Sequence, residues 1–466
     1  MRLRSLGRSG TERGSPYRAG VETVVAPTAR RGDGRWRLAL AGWLTVVVIA
    51  LVWGTIAIAS DGEQAVRAAP LMGRWRPDVR LALLPAAALG ALVVARGAQV
   101  AASLSWRRLV VLTATTATVW TALLAVSRGW DRLTAPLTTR QEYEPFAAGI
   151  GDVPSFVRGF IDELPAYPTH VRGHPPGAPL VFWALDRLGL PGAGWAALAM
   201  VVAWGVAVGA ALVALRAVAG DARARSAAPT VAVLPAAIWA GTSFDAFVAG
   251  TVGVGACLVV VAATSLPSVG GAHGSGRVHP AVLAVLGGAV LGVAIHLSYG
   301  AAPIVLVPIA VLVVRRTLAP LVWAAVGGLV VVGAFTAGGF WWPAGLAATR
   351  LEYVSGVATE RSWAYFTFAG NPGALLLATG PAWLVGLASL RRDQLVRWAP
   401  ALGALAAVLV ADASGLSKAE VERIWLPFVP PLALLAAAVP TRHRRALLAG
   451  QVALALVLQA ALASPW

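Results

Sequence analysis

The feature that most constrains this chain is a succession of apolar segments, each near the length at which a helix crosses the hydrocarbon of a bilayer. Such a crossing takes about 20 mostly apolar residues, with about 17 sufficient. Roughly thirteen segments qualify, near 38–60, 81–97, 108–127, 192–217, 228–243, 246–264, 280–297, 300–315, 318–338, 373–390, 398–412, 425–440 and 446–463. Composition agrees: 58% of residues are hydrophobic and 13% charged, against about 45–50% and about 25% in globular domains. The expected fold is all-α, a polytopic membrane helical bundle of about 13 transmembrane helices with short interfacial helices. Residues 1–35, rich in Arg, Gly, Ser and Thr, read as a disordered basic cytoplasmic tail, and 36–466 as a single transmembrane domain.

The formal net charge of +17 would suit nucleic acid, but its distribution has a simpler cause. With the tail placed in the cytoplasm, the inner side carries 24 basic residues against five acids, and the outer side 14 against 16. That is the asymmetry of the positive-inside rule, so no nucleic-acid partner is expected. The exception is the first outer loop, which carries Arg67, Arg74, Arg76 and Arg80. A single cysteine, Cys257, lies in an apolar run and reads as a packing residue.

Two outer loops stand out. Residues 128–178 hold six acids, five Arg, two His and several aromatics, and residues 339–372 combine Trp341, Trp342, Arg350, Glu352, Tyr353, Arg361 and Trp363. Loops this rich in ionisable and aromatic groups are more often sites than connectors. Trp341 and Trp342 also suit an interfacial aromatic belt. The run after Gly177 is amphipathic and too short to span, so it is expected to lie in the interface with Trp183 at headgroup depth. Glu422 and Arg423, at the mouth of a helix, either snorkel or line a cavity; Asp245 either caps the following helix or lines that cavity.

A many-helix membrane chain with Gln141-Glu142-Tyr143 early in its first large outer loop, and His174-Pro175-Pro176-Gly177 leading into an interfacial helix, resembles the GT-C glycosyltransferases. That family includes protein mannosyltransferases, the aminoarabinose transferase of lipid A and actinobacterial cell-wall transferases. The resemblance covers the chain from about residue 108 onward, with two helices added before the loop and Gln141 where the family usually has an acid. It implies transfer of a sugar, with inversion, from a polyprenyl-phosphate carrier to an extracytoplasmic cell-envelope acceptor, which would be a glycan, lipid or protein.

The chemistry accounts for the residue types. A sugar hydroxyl is a poor nucleophile, and a positioned carboxylate contributes roughly 10²- to 10⁴-fold by taking its proton. Guanidinium groups stabilise charge developing on the leaving phosphate. By that logic Glu142 is the expected base, with Asp131 and Glu144 as understudies. Arg350, Arg361 and Arg423 are expected on the phosphate, with Arg140 and Arg172 in reserve and Tyr353, His174, Glu422 and Asp245 around it. His170 and His174 could join a carboxylate on a divalent metal, but their spacing of four in a proline-rich segment does not indicate one; His174 is expected to be a structural hydrogen-bonder. Two rival readings stay open: a transporter or lipid flippase using Asp245, Asp412 and Glu422 as midplane charges, and a non-catalytic envelope-assembly protein.

Overall fold

The computed structural model describes residues 33–61, 66–241, 243–265 and 278–465. Most of the basic tail, and residues 266–277, therefore lie outside the described residues. The protein is a polytopic helical membrane bundle. Among the described residues nine helices are long and apolar enough to cross a bilayer: Gly34–Ala59, Leu81–Ser103, Trp106–Val126, Ala193–Ala219, Asp245–Ser265, Pro280–Leu297, Ala319–Ala337, Arg392–Ala413 and Thr441–Ala461. Each coincides with one of the thirteen apolar segments.

The other four segments, 228–243, 300–315, 373–390 and 425–440, form helices that are short or interrupted, and proline is the cause, since it removes a backbone donor and clashes with the preceding turn. Asp221–Ala232 stops ahead of Pro235 and resumes as Ala237–Ala240. Asn371–Thr379 gives way at Gly380-Pro381 to Ala382–Ala388. Tyr299–Val305, containing Pro303, is a tight 3₁₀ turn before Leu306–Arg315, and Leu426–Ala438 with Pro427, Pro430 and Pro431 mixes both helix types.

A break inside a membrane must find partners for the backbone groups it frees, and this one does. The Leu234 carbonyl accepts from Trp120 Nε1 at 3.1 Å. Gln451 Nε2 donates to the Thr230 and Val233 carbonyls at 2.9 and 3.1 Å, and Ala236 N–H donates to the Ala378 carbonyl at 2.7 Å. Two interrupted segments thus stitch each other together beside the last helix.

Ala193–Ala219 and Asp245–Ser265 form the centre, with about two thirds of their most apolar stretches buried, whereas Leu81–Ser103 and Ala319–Ala337 bury 11% and present apolar faces outward. Small residues let the helices close on one another: a Cβ on Gly288 would stand 1.8 Å from the Ala324 carbonyl oxygen, the small-residue contact typical of membrane helices. Contacts of Arg172 with Glu352 and of Arg361 with Glu420 gather the loops 128–178 and 339–362 and the turn 414–425 at one end of the bundle. The same end carries a two-stranded ribbon in which Arg74–Trp75 pairs antiparallel with Leu462–Ala463.

Candidate active site

The first half of the site grows from the loop after Trp106–Val126. Glu142 precedes the short helix Tyr143–Ala147, whose tyrosine ring is buried against Phe182 and Phe244 at centroid separations of 5.5 and 5.1 Å. That aromatic anchor fixes the backbone under Glu142. Gln141 accepts from the His170 backbone N–H at 3.1 Å, and His170 Nδ1 meets Glu142 Oε1 at 2.7 Å, the two side chains being 19% and 12% exposed. His174 turns back so that its Nδ1 lies 3.0 Å from the His170 carbonyl and its ring stands edge-on to Tyr143. Burial pushes the His174 imidazole down to about 4, so it is neutral at pH 7 and makes the structural hydrogen bond expected of it.

The Pro-Pro-Gly that follows docks the loop on the bundle. A Cβ on Gly177 would lie 2.3 Å from the His296 carbonyl oxygen, so glycine is required for this approach. Gly177–Arg187 then forms the short amphipathic helix, with Trp183 half-buried and the Arg187 guanidinium 5.5 Å over its ring.

The second half is an ion network beneath the other loop. Arg423 Nη1 donates to Asp245 Oδ2 at 2.8 Å and Nη2 to Glu420 Oε2 at 2.5 Å. Arg361 Nη2 donates to Glu420 Oε1 at 2.9 Å and Nη1 to the Lys418 carbonyl at 2.5 Å, while Lys418 Nζ returns a bond to the Arg361 carbonyl at 2.8 Å. Tyr353 Oη accepts from Lys418 N–H at 3.0 Å. Asn371 holds the same turn from below: its Nδ2 donates to Asp412 Oδ1 and the Ser417 carbonyl, and its Oδ1 accepts from Ala419 N–H.

The turn so held is strained. Ala419 and Glu420 both adopt positive φ, 70° and 63°, a conformation that costs a residue with a Cβ about 1–2 kcal/mol. It swings the Glu420 carboxylate between the two guanidiniums. Burial alone would raise this acid, but Arg423 and Arg361 overcome it and hold it near 2. Burial likewise opposes the Arg423 charge, and Glu420 and Asp245 more than offset that, leaving the guanidinium firmly protonated. Glu422 points the other way. Fully buried, it accepts the Met72 N–H at 2.7 Å through Oε1 and, among the described residues, has no hydrogen-bond partner at Oε2; burial pushes it up to about 7.

The two halves adjoin through Tyr143 and Phe244, the residue before Asp245. The Tyr143 hydroxyl is raised first by burial and then by Glu142 and Asp245, with Arg423 opposing, so one phenol senses both clusters. The remaining expected residues sit further out. Asp131, Arg140 and Arg350 are exposed, and Glu144 is half-buried. Arg172 lies 3.5 Å from Glu352 while its carbonyl accepts from Thr349, tying the two loops together. Of the two roles open to Asp245, capping falls to Ser243, whose Oγ accepts the Asp245 N–H, and the carboxylate faces Arg423. Glu422 and Arg423 do not form a snorkelling pair.

Sequence reasoning gave no role to Glu420 or Lys418, noted Asn371 only as part of the loop 339–372, and took His170 only as a metal ligand. Glu420 had a readable signal, its helical spacing of three from Arg423. Among the described residues no three His, Cys, Asp or Glu side chains gather as a metal set.

Two cavities flank these clusters. One, of about 40 Å³, is bounded by Glu144, Phe182, Leu185 and Asp186. The other, about 30 Å³ and wholly apolar, runs among Pro427, Pro430, Ala249, Val252, Cys257 and Ala211; it begins four residues after Arg423 and one turn after Asp245.

No protein-family model matches the chain. No curated protein matches it either. Among solved structures, the crystal structure of ArnT from Cupriavidus metallidurans bound to undecaprenyl phosphate is similar to 72% of this chain, at 17% identity and a TM-score of 0.43. The matched region spans 60% of the length of that protein. A likeness this faint carries no statement about what the present chain binds.

Proposed function

We propose that this protein is a membrane glycosyltransferase that moves a sugar, with inversion, from a polyprenyl-phosphate carrier to a cell-envelope acceptor at the extracytoplasmic face, its N-terminus being cytoplasmic. The observation that carries this reading is the Glu142–His170 contact: a carboxylate largely screened from water, held at 2.7 Å by an imidazole, at the same end of a membrane bundle as a cation-rich cluster. A carboxylate fixed in this way suits proton removal from a sugar hydroxyl.

In the proposed step Glu142 takes the acceptor hydroxyl proton as the acceptor oxygen forms its bond to the anomeric carbon. The bond from that carbon to the carrier phosphate breaks, and its electron pair leaves on the phosphate, which departs without protonation. Around Glu420 the cations Arg361, Lys418 and Arg423 meet Asp245 and Glu420. Guanidinium and ammonium groups placed in this way would favour the growing phosphate charge. Asp131, Arg140, Arg172 and Arg350 would stand at the rim of the site, with Tyr353 and His174 as structural supports.

The test is sugar transfer by the purified full chain in lipid nanodiscs from polyprenyl-phosphate sugars. Glu142→Gln should abolish it while the protein still inserts and unfolds as wild type does; undiminished transfer would remove Glu142 from the mechanism. A transporter or flippase is the second reading, and the four interrupted segments favour it, since transporters build sites at such breaks. Flux of a labelled lipid into proteoliposomes that depends on Asp245 or Asp412, without transfer, would decide for it.

A further inference from the structure

The loop end of the bundle carries a second basic surface, outside the site. It is organised by the C-terminus of Thr441–Ala461, whose last carbonyls attract cations through the helix dipole. Arg128 donates from Nε to the Gln459 carbonyl at 3.0 Å and from Nη2 to that of Ala460 at 2.9 Å. Arg132 Nη2 donates to the Ser464 carbonyl at 2.9 Å, and Arg80 Nη1 to the Arg128 carbonyl at 2.6 Å. Arg76 lies within electrostatic reach of Arg128, as do Arg80 and Arg132, with Asp78 as the opposing acid. Partial burial first and then the three neighbouring guanidiniums lower the Arg128 pKa, with Asp78 working against them. Arg67 and Arg74 stand exposed alongside.

Apolar side chains share this surface. Val79, Leu81 and Trp130 are 82–83% exposed and Trp75 is 44% exposed, although they belong to loops and helix starts. The patch lies where Leu81–Ser103 begins and where Trp106–Val126 and Thr441–Ala461 end, which is the height of a bilayer surface. Indole rings favour headgroup depth, and guanidinium pairs bidentately with phosphate oxygens.

We propose that the Arg74–Trp75 ribbon and the adjoining Arg76, Arg80, Arg128, Arg132 and Trp130 form a docking surface for the anionic phospholipid headgroups of the adjacent leaflet. It accounts for the one outer loop whose arginines run against the positive-inside rule: here they are drawn to lipid phosphate. Arg76, Arg80, Arg128 and Arg132 outnumber Asp78 and Asp131 here, Arg80 being paired with Asp78 at 2.8 Å, and the exposed indoles and aliphatic side chains favour a lipid over a soluble acid.

The test places a bimane at Val79→Cys in a Cys257→Ala background, with the full chain in phosphatidylcholine nanodiscs. Trace lipid with a nitroxide high on its acyl chain is then added, either as phosphatidylglycerol or as phosphatidylcholine. Nitroxide phosphatidylglycerol should quench several-fold more strongly per mole. The preference should be largely lost in Arg74→Gln/Arg76→Gln, as expected when two basic residues are removed from an anionic surface. Raising the ionic strength to about 1 M should also weaken the preference of the otherwise unaltered labelled chain by screening, which keeps the test decisive should the double variant misfold. Equal quenching by both lipids, or a preference untouched by salt, would overturn the proposal. So would quenching by neither lipid together with protection from aqueous iodide by a soluble polyglycerol phosphate, which would indicate an acidic polymer as partner.

Discussion

Glu142 and Glu420 are both screened carboxylates at one end of the bundle, yet they are held in opposite ways. Glu142 meets an imidazole, a partner whose charge is optional. Glu420 lies between two guanidiniums, which are always charged, in a network that includes Asp245 and the backbone of the 417–420 turn. On the proposed function, the difference separates chemistry from architecture. A carboxylate that must take up and release a proton needs a partner that tolerates both states, and a carboxylate that pins a strained turn needs partners that never let go.

The comparison can be broken most forcefully at Arg423. Arg423→Met leaves Asp245 and Glu420 facing each other with one cation fewer, and removing one partner of a buried pair costs about 3–5 kcal/mol. Thermal unfolding in detergent should show that loss, and an unchanged Tm would show the network to be dispensable. Glu142→Gln should do the reverse, lowering transfer by roughly 10²- to 10⁴-fold with Tm unmoved. Gly177→Ala, which drives a Cβ into the His296 carbonyl, should destabilise by about 1–3 kcal/mol and loosen the loop that carries His170, so transfer should fall along with Tm.

The mildest test is pH. Glu422 keeps its proton up to about pH 7 in the folded protein, whereas an unfolded chain releases it near 4.3. The folded state therefore binds the extra proton between those values, and stability falls as pH rises through them. Glu422→Gln should flatten that decline. Glu420 has the opposite sign: held near 2, it adds stability above the unfolded value that is lost as pH falls towards 2.

The bundle could be read almost entirely from hydropathy, because apolar length is a property of composition, and every spanning helix lies on an apolar segment. The interruptions were also written in the sequence, as Pro235, Pro303, Pro381 and the Pro427–Pro431 cluster, but hydropathy counts apolar residues without asking whether they can continue a helix. The Glu142–His170 contact joins positions 28 apart across a loop of several short helices, so no single periodicity announces it. Glu420 was passed over in favour of Glu422 and Arg423 at the helix mouth, yet these two lie in the helix Val421–Ile424, where successive side chains diverge by about 100°, and they meet different partners.

The left-handed pair Ala419–Glu420 makes the turn a latch whose bolt is ionic. The conformation persists because Arg361 and Arg423 grip the Glu420 carboxylate and Asn371 grips the backbone beside it. Any anion that draws those guanidiniums towards itself pulls against the bolt, so occupancy of the cationic cluster and the shape of the 417–420 segment are mechanically one variable.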